Sequence, residues 1–142
     1  MTNTADLESR IRQSFDRQSM MKTFGAELVD VSEGKVVIRA PVLPKATQQH
    51  GFAHAALTFA IGDSAAGYAA LSMMPAGSEV VTAEIKINLL APATGPELTA
   101  TGRVVKSGKR LSVVTAEVMR SDGTIVAILQ GTMAPVVPTG QA

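Results

Sequence analysis

The stretch AHAALTFAIGDSAAGYAALSMM, residues 53–74, decides the fold. It is the one long run without proline or a turn cluster, and alanine dominates it, which favours helix over strand. The run is apolar nearly all round, the pattern of a helix enclosed on most sides. About 20 apolar residues also suffice for a membrane span. Asp63 at the middle, His54 near the start and two scattered glycines argue against one, because a mid-bilayer carboxylate is costly. No polybasic flank favours insertion either. The segment is expected to be a buried helix with no membrane role.

After Pro75-Ala76-Gly77 the hydrophobic period changes to two. In residues 80–90, Val81, Ala83, Ile85, Ile87 and Leu89 alternate with Thr82, Glu84, Lys86 and Asn88, a long strand with one buried face. Residues 91–96 (Ala-Pro-Ala-Thr-Gly-Pro) end it. Runs at 97–107 and 111–120 follow, joined at Gly108-Lys109, and Asp122-Gly123 turns the chain into a last run at 124–134. Four consecutive strands with short connections read as an antiparallel meander. Upstream, residues 26–31 and 35–42 flank Ser32-Glu33-Gly34 as a hairpin. A polar loop over 45–51 then leads into the helix. Residues 5–21 carry Leu7, Ile11, Phe15 and Met21 among charges at roughly helical spacing, one amphipathic helix.

A sheet with one apolar face needs a cover, and the alanine-rich helix is the only element apolar enough to provide it. The expected architecture is α+β, a curved antiparallel sheet of about six strands wrapped around that helix. Residues 24–136 form the domain, residues 1–23 pack on it, and the Pro/Gly-bearing tail at 137–142 is expected to be disordered.

Composition narrows the chemistry. The chain has 142 residues, room for one domain; 46% are hydrophobic but only 4% aromatic. Net charge is +1, so no basic field marks a nucleic-acid partner. The absence of cysteine excludes disulfides, thiolate metal sites and a cysteine nucleophile. The N-terminus lacks a secretory apolar core, so a cytoplasmic location is expected. Only His50 and His54 are available for imidazole chemistry, with no third ligand nearby for a metal.

Asp63 is the anomaly, because a carboxylate in an apolar helix is expensive unless it is paired or faces a cavity. It lies on a solvent stripe, bonds a nearby hydroxyl such as Thr58 or Ser64, or serves chemistry; the residues alone leave these open. The second cluster is Gln48-Gln49-His50-Gly51-Phe52-Ala53-His54-Ala55-Ala56, where His54 can cap the helix and Gly51 can bend the loop. His54 and Asp63 are nine residues apart, so at about 100° per residue they sit on opposite sides of one straight helix. For them to cooperate, they must come from two copies of the chain, as in a two-fold dimer with two equivalent sites.

Residues 48–63 and the strand after them resemble the hotdog-fold acyl-CoA thioesterases of the phenylacetate-degradation type. In that family an Asn or Gln lies six residues before a His-Gly-Gly, and an Asp or Glu nine residues after the His. Gln48, His54 and Asp63 hold those places, whereas Ala55-Ala56 replaces the two glycines. The resemblance implies a hotdog fold and hydrolysis of an acyl-CoA at a site shared across a homodimer. It also implies pairing of dimers into a homotetramer. No cofactor or metal is implied, coenzyme A being part of the substrate.

The Ala55 N–H and helix dipole would polarise the thioester oxygen, and Asp63 of the second subunit would attack the carbonyl or activate a water. Gln48 would orient that water or the acid, His54 would order the loop, and Thr82 would hold the water. An Ala can still donate the N–H from a helix start, where φ is negative.

Gly108-Lys109-Arg110, with Lys106 close by, suits the phosphates of coenzyme A. A solvated hairpin tip is the alternative. The acyl tunnel is expected along Phe52, Leu57, Met73 and Met74. A non-catalytic hotdog module binding acyl-CoA or fatty acyl groups is the rival to the hydrolase, favoured by the double alanine. A purely structural assembly protein ranks third, since it leaves Asp63 unexplained.

Overall fold

The computed structural model describes residues 3–136; the expected disordered tail at 137–142 lies outside them. In chain order the elements are α1 (Thr4–Asp16), α2 (Ser19–Phe24), β1 (Glu27–Ser32), β2 (Lys35–Pro41), a 3₁₀ turn (Pro44–Ala46), α3 (Ala55–Ser72), β3 (Glu79–Leu89), β4 (Glu97–Ser107), β5 (Ser112–Arg120) and β6 (Ile125–Val136). The strands form one antiparallel sheet in the order β1-β2-β4-β5-β6-β3, curved around α3. This is the hotdog architecture.

The core lies between α3 and the inner face of the sheet, where Leu57, Ile61, Ile38 and Leu98 are fully buried. Burying each such side chain contributes about 1.5–3 kcal/mol. The alanines do a second job, since Ala65, Ala66, Ala69 and Ala70 let the helix backbone approach the strands closely. At the tightest point, a Cβ on Gly102 of β4 would fall on the Ala65 carbonyl, well inside contact distance. A backbone carbonyl cannot rotate away, so the helix would have to lift. Gly102→Ala is expected to cost about 3 kcal/mol or more, read as a lowered urea midpoint.

Three expectations change. The N-terminal segment is two helices, because Gln18 is extended (φ −78°, ψ 101°) between α1 and α2. Asn3 caps α1, whose Leu7, Ile11 and Phe15 are buried. Arg10 donates to the Leu71, Met74 and Pro75 carbonyls, pinning α1 to the C-terminal end of α3.

The four later strands are not a simple meander. β3 pairs with β6 and forms the far edge, so residues 90–96 cross over to bring β4 beside β2. Crossing two intervening strands takes about 15 Å at the usual strand spacing. Seven residues kept extended by Pro92 and Pro96 cover that span.

The third change is in β3. A bulge between Thr82 and Glu84 leaves Ala83 as the extra residue and reverses the inward phase. Val80 packs on the core while Val81 is 50% exposed. Thr82 faces the helix as a result.

Candidate active site

Two polar constellations flank the N-terminal half of α3. The first is the loop that enters it. Gly51, at φ +83°, lets the chain fold back so that Gln48 N–H donates to the Phe52 carbonyl. The Gln48 side-chain carbonyl accepts from the His50 and Phe52 amides, so Oε1 shapes the loop. Its Nε2 donors have no partner among the described residues.

His54 is the N-cap of α3: its Nδ1 accepts from Ala56 N–H at 2.8 Å and its carbonyl from Leu57 N–H at 2.9 Å. With Nδ1 an acceptor, the neutral ring carries its proton on Nε2. His54 thus orders the helix start, and its Nδ1 is not free to act as a base. Ala55 N–H, immediately before these two capped amides, has no acceptor among the described residues. It borders a cavity of about 330 Å³ that also holds Gln48, Phe52 and His54, walled by Pro92 and Ala93 of the crossover. The crossover is held there by Ala53 N–H donating to the Ala93 carbonyl at 2.9 Å.

The second constellation surrounds Asp63. Neither Thr58 nor Ser64 is its partner; the Thr82 hydroxyl donates to Asp63 Oδ1 at 2.7 Å, an alignment created by the β3 bulge. Oδ2 is left without a partner among the described residues. Burial pushes the Asp63 carboxyl above the usual carboxylate range, and the Thr82 bond pulls it part of the way back. A cavity of about 200 Å³ opens beside it, lined also by Gly67, Tyr68 and Met133.

Within one chain these constellations do not meet. Ala55 and Asp63 are eight residues apart on α3, about 12 Å along the axis. Each cavity also touches one end of β3, Leu89 for the Ala55 cavity and Thr82 for the Asp63 cavity. β3 is an edge strand, with Val81 and Leu89 exposed.

Phe52 lines the loop cavity, but Leu57 is fully buried in the core and lines neither. Met73 and Met74 lie beyond the C-terminal end of α3, away from both. Gly108-Lys109-Arg110 is the exposed tip between β4 and β5, closed by Gly108 N–H donating to the Leu111 carbonyl. Ser112, Met133 and Thr82 pair across β5, β6 and β3, so this tip shares the Thr82 end of the sheet. A larger concavity, about 690 Å³ on the sheet face turned from α3, contains none of these residues. Sequence reasoning missed Ser14, Gln18 and Tyr68 at the Asp63 cavity. Only Tyr68, the single tyrosine and four residues after Ser64, carried a signal.

Among the described residues no three potential metal ligands cluster, and no helix is long and apolar enough to cross a membrane.

A sequence model described as the Thioesterase superfamily matches residues 50–127. The chain belongs to the thioesterase superfamily. The crystal structure of a thioesterase family protein from Silicibacter pomeroyi is 38% identical, with a TM-score of 0.88 over 92% of this chain and 98% of that one. A 1,4-dihydroxy-2-naphthoyl-CoA hydrolase of Listeria monocytogenes is 27% identical over 115 residues, 81% of this chain and 94% of the relative. The E. coli PaaI protein from the phenylacetic acid degradation operon shares the fold, with a TM-score of 0.87 at 23% identity over 95% and 96% of the two chains. The family match begins in the loop before His54 and ends in β6, so α1, α2, β1 and β2 of this thioesterase-superfamily chain lie outside the matched span.

Proposed function

We propose that the protein hydrolyses acyl-CoA thioesters at two equivalent sites, each built from the Asp63 cavity of one subunit and the Ala55 cavity of the other. The observation that carries this reading is the placement of the two incomplete constellations at opposite ends of β3, whose outer edge has no neighbouring strand among the described residues. Antiparallel pairing of β3 with its copy about a two-fold axis near mid-strand brings the Thr82 end of one beside the Leu89 end of the other. It also covers the exposed edge and the exposed Phe59 of α3.

In such a site the free Ala55 N–H, at the positive end of α3, polarises the thioester carbonyl. Asp63 Oδ2, with Oδ1 held by Thr82, either attacks the carbonyl carbon or takes a proton from an attacking water. The C–S bond breaks and the coenzyme A sulfur takes up a proton. The acyl group leaves as the acid, directly where water attacks, or after a water cleaves the acyl–Asp63 anhydride and restores the carboxylate. Gln48 Nε2 is available to orient the water. The reaction needs water and no cofactor.

The spacing of Gln48, His54 and Asp63 sides with the phenylacetate-degradation type within the superfamily, and acyl-CoA chemistry implies the cytoplasm. Ala55 and Ala56 are both exposed, so their methyl groups do not close the loop cavity, which favours hydrolysis over the non-catalytic binding module.

Mixing two inactive variants tests the shared site. Asp63→Asn and Ala55→Pro homodimers are each expected to be inactive. Their heterodimer holds one intact site, so re-association of an equal mixture recovers about a quarter of wild-type activity by two-fold symmetry. No recovery, with heterodimers verified by mass, would remove the shared site. The Lys109 and Arg110 tip is the proposed phosphate contact, so charge reversal there raises KM more than it lowers kcat; an unchanged KM would separate the tip from coenzyme A.

A further inference from the structure

We infer that Gln18 and Tyr68 are specificity-determining residues that select acyl groups bearing a neutral hydrogen-bonding group at their far end. This rests on the acyl-CoA hydrolase reading and deepens it. The Asp63 cavity is walled on one side by the α1–α2 junction, where Ser14 and Gln18 reach it. Gln18 Nε2 donates to the Tyr68 hydroxyl at 2.7 Å, and that hydroxyl shares a further bond with Ser14 Oγ at 3.1 Å. Ser64 Oγ donates to Gln18 Oε1 in a long contact of 3.5 Å. The extended backbone of Gln18 that divides α1 from α2 is what places this side chain on Tyr68.

An aliphatic acyl tail against this wall leaves the second Gln18 Nε2 hydrogen, which has no partner among the described residues, unpaired. A hydroxyl on the tail instead meets both donors and acceptors, the second Nε2 hydrogen of Gln18 among them. Tyr68 is five residues from Asp63, about 7.5 Å further along the helix axis, and both line this cavity, so the group is held away from the thioester carbon at the far side of the acyl space. At about 200 Å³ the cavity suits only a short acyl group. Exposed Glu79 also borders it, so a terminal carboxylate is disfavoured by like charge.

The test is thiol release from hexanoyl-CoA, 6-hydroxyhexanoyl-CoA and adipoyl-CoA by the wild type, Tyr68→Phe and Gln18→Leu, with thermal melts of each. Phe retains the ring that packs on Phe15, so Tyr68→Phe is expected to fold. In the wild type, kcat/KM for the hydroxylated substrate should exceed that for hexanoyl-CoA about tenfold, with adipoyl-CoA lowest. In both variants the hydroxyl-to-hexanoyl ratio should fall to near one. Equal kcat/KM for the two in the wild type, or a ratio untouched in both variants while all rates fall alike, overturns the inference and leaves the hydrolase standing. Thiol release from none of the three overturns this inference, and none from phenylacetyl-CoA either removes the hydrolase reading with it.

Discussion

Asp63→Asn is expected to lower kcat about 10³-fold while leaving the fold intact. The amide keeps an oxygen that accepts from Thr82, so the hydrogen bond that positions the group survives while the base or nucleophile is lost. The same substitution should stabilise the protein at neutral pH. Burial raises the folded-state pKa of Asp63 above its unfolded value, so the folded state binds a proton more tightly. Stability therefore falls as pH rises from the unfolded value, about 3.9, through the raised folded value, and at neutral pH the wild type carries the whole cost.

Thermal melts should show Asp63→Asn above the wild type near neutrality, with the gap closing below about pH 4. In the wild type, kcat/KM should rise with pH through the raised Asp63 pKa, because the working form is the carboxylate. A variant that retains turnover would take Asp63 out of the chemistry.

Ala55→Pro is expected to lower kcat about 10²–10³-fold, the usual cost of one lost oxyanion donor. The substitution removes little else. Ala55 is the first residue of α3, where proline is well tolerated because its missing N–H has no helical partner. The preceding residue, His54, has ψ 143°, already in the region proline imposes on its neighbour. Ala55→Gly keeps the N–H and is expected to retain turnover, so the pair separates the amide from the methyl group. Full activity of a folded Ala55→Pro would assign the carbonyl contact elsewhere.

The candidate site was partly legible because two of its features are local anomalies. A carboxylate in an alanine-rich helix is conspicuous whatever surrounds it, and the opposition of His54 and Asp63 follows from helical geometry alone. The capping of Ala56 by His54 was also within reach, being a contact between residues two apart. The partner of Asp63 was not, since Thr82 arrives from an edge strand nineteen positions away and only the bulge at Ala83 turns it inward. Gln18 was invisible for a similar reason. No glycine or proline marks the break between α1 and α2, and the bond to Tyr68 spans fifty residues.

Hydrophobic periodicity is written residue by residue, and it determined the buried helix, the number of strands and the face that most of them present. It is silent on which strand lies next to which, because pairing depends on contacts between distant segments. The tertiary structure alone decided that β3 pairs with β6 and leaves its other edge open. The crossover required by that pairing walls the Ala55 cavity, and the β3 bulge aims Thr82 at Asp63. The acid is a property of the chain, whereas its surroundings and its distance from the Ala55 amide are properties of the fold.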